Sequence, residues 1–379
     1  MKKLELKDVL KQLPEGYKKA CWDTKAMSRR KGIQDEDKLL LLCLFYSYGN
    51  SLVDTQNYAL ASMKIDISDV GFMKRFKNCD NWIKWINQHL SQEKTAIYDV
   101  PEKLKDKNVI AIDASNVTSK GAVMQTWRLH YAVNLFSMNT EQFKITPEST
   151  GESLINFELQ KNDLIIADRI YATITGIEYC RNAGANFILR IRNKAFKLYD
   201  KAGKEIVLSE LLKNVKNTCC DFHVYYMNSK KELKPIRFCA IQKTKEEKAF
   251  EQKKLKHEES KKQIKISEET KFTHNYFFVV TSLDEGYSAD EILALYRLRW
   301  QVEMVFKRFK SILNFGSIPT KTADSSEVWL NCKMLIALII EKLMLSVDFS
   351  PYERKEKPVE GDEDLIPFDF QLLFERAII

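Results

Sequence analysis

Two periodicities divide the chain. Through residues 1–100 apolar residues fall in clusters separated by polar breaks such as LPEGY and SYGN, a pattern that predicts a run of helices. NWIKWINQHL (81–90) is one of them, amphipathic and packed through Trp82, Trp85 and Ile86. From about residue 108 the period changes. NVIAID (108–113) is a short apolar run closing on an acid, as expected of a buried strand whose last residue emerges at the sheet edge. WRLHYAVNLF (127–136) alternates as a neighbouring strand should, and EQFKIT (141–146) follows as a third, giving an antiparallel meander. SLINFELQ (153–160) reads as helix, and DLIIAD (163–168) as a second apolar strand that closes on an acid. ATITGIEYCRNAG (172–184) reads as a helix ending at Gly184, and NFILRIR (186–192) as another strand.

The next interval differs in character. AFKLYD, DFHVYYM and IRFCAIQ are short β-like pieces, and residues 243–271 form a charge-dense run expected as a solvated helix or a mobile arm. YFFVVTS (276–282) restores the core pattern. Ser288, with Glu291 three residues on, makes a capping box that opens a helix. At about 100° per residue, Tyr296, Arg299, Glu303 and Lys310 fall within roughly 60° of one another on that helix. Ile292, Leu295, Val302, Phe306, Phe309 and Leu313 form an apolar stripe about 80° away. The quartet therefore sits at the rim of a buried face. WLNCKMLIALIIEKLML (329–345) is expected as a core helix covering the sheet, with a dimer contact as the alternative.

The fold class is α/β: a mixed sheet flanked by helices, with a β-rich insertion and an N-terminal helical domain. The expected units are a helical domain 1–100, a first core part 101–192, an insertion 193–275, a second core part 276–348 and a tail 349–379 that is acidic around EGDED (360–364) and is assigned no role.

Charge narrows the partner. Sixty Lys and Arg against 52 Asp and Glu among 379 residues leave +8, which favours an anionic partner, nucleic acid first. Basic residues recur in KAMSRRKG (25–32) and FMKRFKN (72–78), with aromatics interleaved, so the N-terminal helices are either a packing domain or a DNA-contacting one. Eight scattered cysteines without a CxxC pair argue against a disulfide framework or a zinc site. The two greasiest runs, 39–48 and 334–347, are short for a membrane span, and the second contains Glu341 and Lys342. With charges in MKKLELKDVL where a signal peptide needs apolar residues, a soluble, intracellular protein is expected.

The acids carry the candidate chemistry. Asp113, Asp168 and Glu303 supply three carboxylates, enough for two hard divalent cations such as Mg²⁺ or Mn²⁺. Such a pair stabilises the entering and leaving oxygens of an in-line attack at phosphorus. Arg299 and Lys310 flank Glu303 where phosphates would run, and Tyr296 offers a hydroxyl or a ring face.

Here a resemblance becomes specific. Tyr296-x2-Arg299-x3-Glu303-x6-Lys310 looks like the YREK signature of the DDE transposases of bacterial insertion sequences, the insertion-sequence-four family in the broad sense. AIDAS supplies Asp113, and IIADRIYA supplies Asp168 with Arg169 and Tyr171 in the family's Asp-Arg-x-Tyr context. The likeness runs from about 108 to 345. It implies a ribonuclease-H-like catalytic domain with Glu303 as third catalytic acid, and residues 193–275 as the family's β-rich insertion. It also implies cut-and-paste transposition: cleavage at each transposon end frees a 3′-OH, which then attacks target DNA. Implied partners are double-stranded DNA with terminal inverted repeats, bound through the N-terminal region, and a second subunit, giving a homodimer on DNA in the cytoplasm or on the nucleoid. Arg169 and Tyr171 either lie near phosphates or cap the next helix. Trp300 either stacks on an unpaired base or packs in the core. His130 reads as a structural histidine, and Arg190 and Arg192 either touch DNA or are solvated. Two other readings stand beside this one: a silent, transposase-derived DNA-binding protein, and a structure-specific nuclease of the same fold.

Overall fold

A strand apolar at every position needs cover on both faces, and the two central strands show this directly. β1 (Asn108–Ser119) and β4 (Asp163–Ala167) pair in parallel from Asn108–Asp163 to Ile112–Ala167. Val109, Ala111, Leu164 and Ile166 enter one hydrophobic cluster, whereas Ile110, Ile112, Ile165 and Ala167 enter the other. The computed structural model describes residues 9–93, 100–119, 126–192, 195–213, 215, 219–312, 315, 317–320 and 322–346.

β2 (Thr126–Asn134) and β3 (Thr140–Pro147) complete the meander on one side of β1. β5 (Asn186–Arg190) continues in parallel beyond β4. The insertion contributes β6 (Cys220–Met227) and β7 (Leu233–Gln242), which extend the same sheet through β8 (Tyr276–Thr281). The strand order is β3-β2-β1-β4-β5-β8-β7-β6, and a short β9 (Ser317–Ile318) pairs with the far end of β1. This is the mixed sheet flanked by helices expected from the sequence, in a ribonuclease-H-like order.

Among the described residues, the helices α1 (Tyr17–Asp23), α2 (Glu36–Tyr48), α3 (Leu52–Met63), α4 (Asp69–Asn78) and α5 (Asp80–Gln92) precede the sheet. They share one continuous cluster with a sheet face and with the 24-residue C-terminal helix of the described chain. In α5, Trp82, Ile83, Ile86 and Leu90 are buried, and the Trp82 indole donates to the Tyr17 carbonyl (2.7 Å). The Asn87 amide donates to the Asn331 carbonyl across the junction (2.9 Å). The other face carries α6 (Ile174–Ala183), closed by Gly184 at φ 71°, and α7 (Leu208–Leu212). The charge-dense run forms α8 (Lys245–Lys262), in which only Leu255 is buried, followed by α9 (Glu268–Thr273).

Three elements differ from expectation. β1 does not end at Asp113; it runs to Ser119 because β2 remains its partner as far as Thr118–Thr126, while β4 stops at Ala167. SLINFELQ is not a helix beyond one 3₁₀ turn, Leu154–Asn156. Leu154 and Phe157 plug the core there, and the Gln142 amide holds Glu158 extended by accepting from its N–H (2.8 Å) and donating to its carbonyl (2.5 Å). The helix after Ser288 is two helices, α10 (Ala289–Arg297) and α11 (Trp300–Ile312), joined by a tight turn. Leu313 and the tail 349–379 lie outside the described residues.

α12 (Ala323–Ser346) explains its own charges. The Glu341 carboxylate accepts from the Thr140 hydroxyl (2.7 Å) and backbone N–H (3.2 Å), with burial raising its pKa. Lys342 donates to the Gln12 carbonyl. No helix among the described residues is long and apolar enough to cross a membrane.

Because the N-terminal helices and the sheet share one core, Trp82→Ala should cost about 3–5 kcal/mol. Urea unfolding followed by circular dichroism measures it. A loss under about 1 kcal/mol would place Trp82 outside that shared core.

Candidate active site

Strand parity puts both strand acids on one side. Successive side chains alternate, so Asp113 continues the Val109–Ala111 row of β1, and Asp168 continues the Leu164–Ile166 row of β4. Those rows face the cluster that contains α10 and α11. The parallel register ends at Ile112–Ala167, so the two acids are the next step on adjacent strands.

The third acid arrives on α11. The apolar residues Ile292, Leu295, Val302, Phe306 and Phe309 are buried, as their spacing predicts. The joint between α10 and α11 is built from i→i−3 bonds: Leu298 N–H to Leu295, Arg299 N–H to Tyr296, Gln301 N–H to Leu298 and Val302 N–H to Arg299. This 3₁₀ geometry turns the chain more tightly than an α-helix. It leaves Arg299 between Tyr296 and Glu303.

Arg299 is the hub of the site. Its guanidinium lies 3.6 Å from the Asp113 carboxylate and 2.6 Å from that of Glu303. It also lies 5.9 Å from the centre of the Tyr296 ring, and the Tyr296 hydroxyl donates to Asp168 at 3.5 Å. One cation thus touches two of the acids and reaches the third through a phenol. The Arg299 Nε–H is buried with no partner among the described residues. Burial drives the Tyr296 hydroxyl well above its usual range. Tyr296 is buried, not at the rim as its helical phase predicts, while Lys310 is exposed on α11.

Asp113 is three-quarters shielded from solvent, and burial pushes its carboxyl up to about 6. The Ala114 N–H (2.8 Å) and Arg299 oppose that rise, while the nearby Glu303 and Glu152 add to it. After Asp168 the chain makes a turn closed by the Tyr171 N–H to the Asp168 carbonyl (3.0 Å). Tyr171 is thereby carried beneath the acids. Its hydroxyl is fully buried without a partner among the described residues, and burial first, then Asp113 and Glu152, drive its pKa far up. Thr173 caps α6 by accepting from the Gly176 N–H (3.0 Å). A Cβ on Gly176 would sit 3.0 Å from the Tyr171 carbonyl and from the Thr173 hydroxyl, so a larger residue there would press on the turn. Arg169 is exposed beside Asp168 and Trp300 is half-buried, with Lys307 6.0 Å from the Trp300 ring centre.

Two residues escaped the sequence pattern. Arg128 on β2 ties down the loop after β3 by donating to the Glu148 and Thr150 carbonyls, and it pairs with Glu152 at 3.6 Å. Glu152 is a fourth carboxylate in the electrostatic reach of Asp113. It sits in a loop, where no periodicity marks it. His130 is buried, 3.0 Å from the Thr146 hydroxyl, with burial holding its pKa down at about 4. Arg190 lies against the Phe277 ring and Arg192 is exposed. A cleft of about 550 Å³ opens at the opposite end of the strands, near Asn108 and Asp163, and includes none of the candidate acids.

The donor chemistry suits hard divalent cations: three carboxylates with no soft ligand among them. Among the described residues, no three His, Cys, Asp or Glu side chains converge closely enough to hold a metal ion. Arg299 stands between Asp113 and Glu303 in this arrangement.

A family described as the transposase DDE domain matches residues 104–340. The putative transposases InsL for insertion sequence elements IS186A and IS186B, both of Escherichia coli, are each 25% identical over 347 residues, covering 89% of this chain and 93% of each relative. The transposase for insertion sequence element IS421 of Escherichia coli is 25% identical over 348 residues, with the same coverage.

The raised Asp113 carboxyl has a stability signature. The fold favours its neutral form, so stability is present below the ordinary carboxylate range and is lost as pH rises through about 6. In chelator-treated protein, Asp113→Asn should therefore stabilise by roughly 1–3 kcal/mol at neutral pH, with the gain vanishing near pH 4. Thermal melts across that range provide the check.

Proposed function

The chain belongs to the transposase DDE domain family, with residues 104–340 matched, and on that premise we propose that it moves an insertion sequence by a cut-and-paste reaction. It cuts DNA at the element's terminal inverted repeats and joins the freed 3′-OH ends to target DNA. The observation that carries this reading is the gathering of Asp113, Asp168 and Glu303, from distant parts of the chain, around Arg299 and Tyr296.

Each residue has a role in the proposal. Asp113, Asp168 and Glu303 would hold two divalent cations, Mg²⁺ or Mn²⁺. When bound, these supply Lewis-acid polarisation of the phosphodiester and charge stabilisation for the entering and leaving oxygens. Arg169 and Lys310, both exposed, bind backbone phosphates on either side of the acids. Arg299 offers its guanidinium to a phosphate near the cut. Tyr171 packs under the turn that carries Asp168 and steadies it through its backbone N–H, and Tyr296 orients Asp168 by donating its hydroxyl proton. Trp300 presents the open part of its ring to an unpaired base. The N-terminal helices, with basic stretches 25–32 and 72–78, bind the terminal repeats as a duplex. Two copies act together on paired ends, in the cytoplasm where the DNA lies.

Incubation with Mg²⁺ and DNA bearing the element's own terminal repeats tests this. Wild-type protein should nick the repeat ends and form joined target products. Glu303→Ala should lower the cleavage rate by about a thousandfold or more while leaving DNA binding within a few fold. Cleavage indifferent to Glu303→Ala would refute the assignment. Tight binding without any cleavage by the wild type would instead favour a DNA-binding protein that no longer cuts.

A further inference from the structure

Building on the proposed metal-dependent reaction, we infer that Arg299 is a charge gate: its guanidinium competes with the divalent cations for Asp113 and Glu303, and a DNA phosphate opens the site by taking the guanidinium away. Three observations converge on this. The guanidinium contacts both carboxylates at once, at 3.6 and 2.6 Å, and so occupies the space where oxygens from the two must meet a shared cation. Its Nε–H is buried and has no partner among the described residues, so the donors of the side chain are not all used in this position. It also sits at the tight turn between α10 and α11, the joint at which the helix can re-aim it.

The electrostatics give the direction. Carboxylates crowded together need a positive charge, and burial of Asp113 sharpens that need. Arg299 meets it in the arrangement seen here, so a divalent cation must displace an existing ion pair before it can bind. A guanidinium offers paired, planar N–H groups that match a phosphate in two-point fashion. The backbone of bound DNA therefore supplies a competing partner of the same sign as the acids. Once Arg299 moves to phosphate, the acids lose their counter-ion and metal affinity rises. By linkage, DNA and metal each strengthen the other's binding by the same factor. The site would fill only when DNA lies across it.

The test measures metal binding, not turnover. Full-length protein is titrated with Mn²⁺, with free ion followed by electron paramagnetic resonance. Without DNA, Arg299→Gln should bind Mn²⁺ about tenfold more tightly than wild type. A short DNA duplex should tighten Mn²⁺ binding to wild type by a similar factor and have no such effect on Arg299→Gln. Arg299→Lys, which keeps the charge but not the fork, should fall between them and replaces the glutamine variant if that one fails to fold. Unchanged or weaker Mn²⁺ binding in a folded Arg299 variant overturns the gate. Asp113→Asn separates the two levels of the argument. If it abolishes Mn²⁺ binding while the Arg299 variants bind no more tightly, the gate alone is wrong. If it leaves Mn²⁺ binding intact, the carboxylate site of the proposed function is wrong, and the gate falls with it.

Discussion

Acids drawn from three elements stand near one another here because a positive charge lies between two of them, and that charge is Arg299. Its contacts to Asp113 and Glu303, and its position against Tyr296, tie the sheet to the α10–α11 joint. Without such a cation, the repulsion among partly buried carboxylates would fall on the fold itself. The neighbourhood is built to the same rule. Glu152, which adds to the negative field at Asp113, is paired with Arg128, and the Tyr296 hydroxyl donates to Asp168.

The sheet provides the rigidity this arrangement needs. Because β1 and β4 are covered on both faces, their register is fixed by two hydrophobic clusters, and a slip of one residue would turn both acids to the wrong side. The N-terminal helices contribute to that cover. They share a core with α12 and with the sheet face under the site, so the segment read as a DNA-contacting unit is mechanically part of the catalytic body.

Much of this was legible in the sequence, for definite reasons. Apolar runs ending in Asp113 and Asp168 located the central strands, and the i, i+3 and i+7 spacing of Tyr296, Arg299 and Glu303 brought them to one locality even though the helix breaks between them. The break itself has no glycine or proline to announce it. Tyr296 is therefore buried, whereas continuous helical phase put it at the rim. SLINFELQ carries helical spacing, yet Leu154 and Phe157 plug the core through an extended segment, a tertiary demand that local pattern does not encode. Glu152 and Arg128 meet through a loop, and the pairing of β7 with β8 joins strands separated by α8 and α9. Contacts of that kind leave no period to read.

The short strand β9 has a consequence for how such chains diversify. Between β8 and β9 the polypeptide is hydrogen-bonded to the sheet at both ends, at Tyr276–Thr281 and at Ser317–Ile318, with Glu303 suspended in the span. Adding or deleting a residue there would rotate Glu303 by about a quarter turn or more about its helix axis. The segment between β7 and β8 faces no such restriction, since α8 and α9 leave the sheet there and only Leu255 of α8 is buried. Length variation among related chains should therefore collect in that peripheral stretch and be purged from the anchored one.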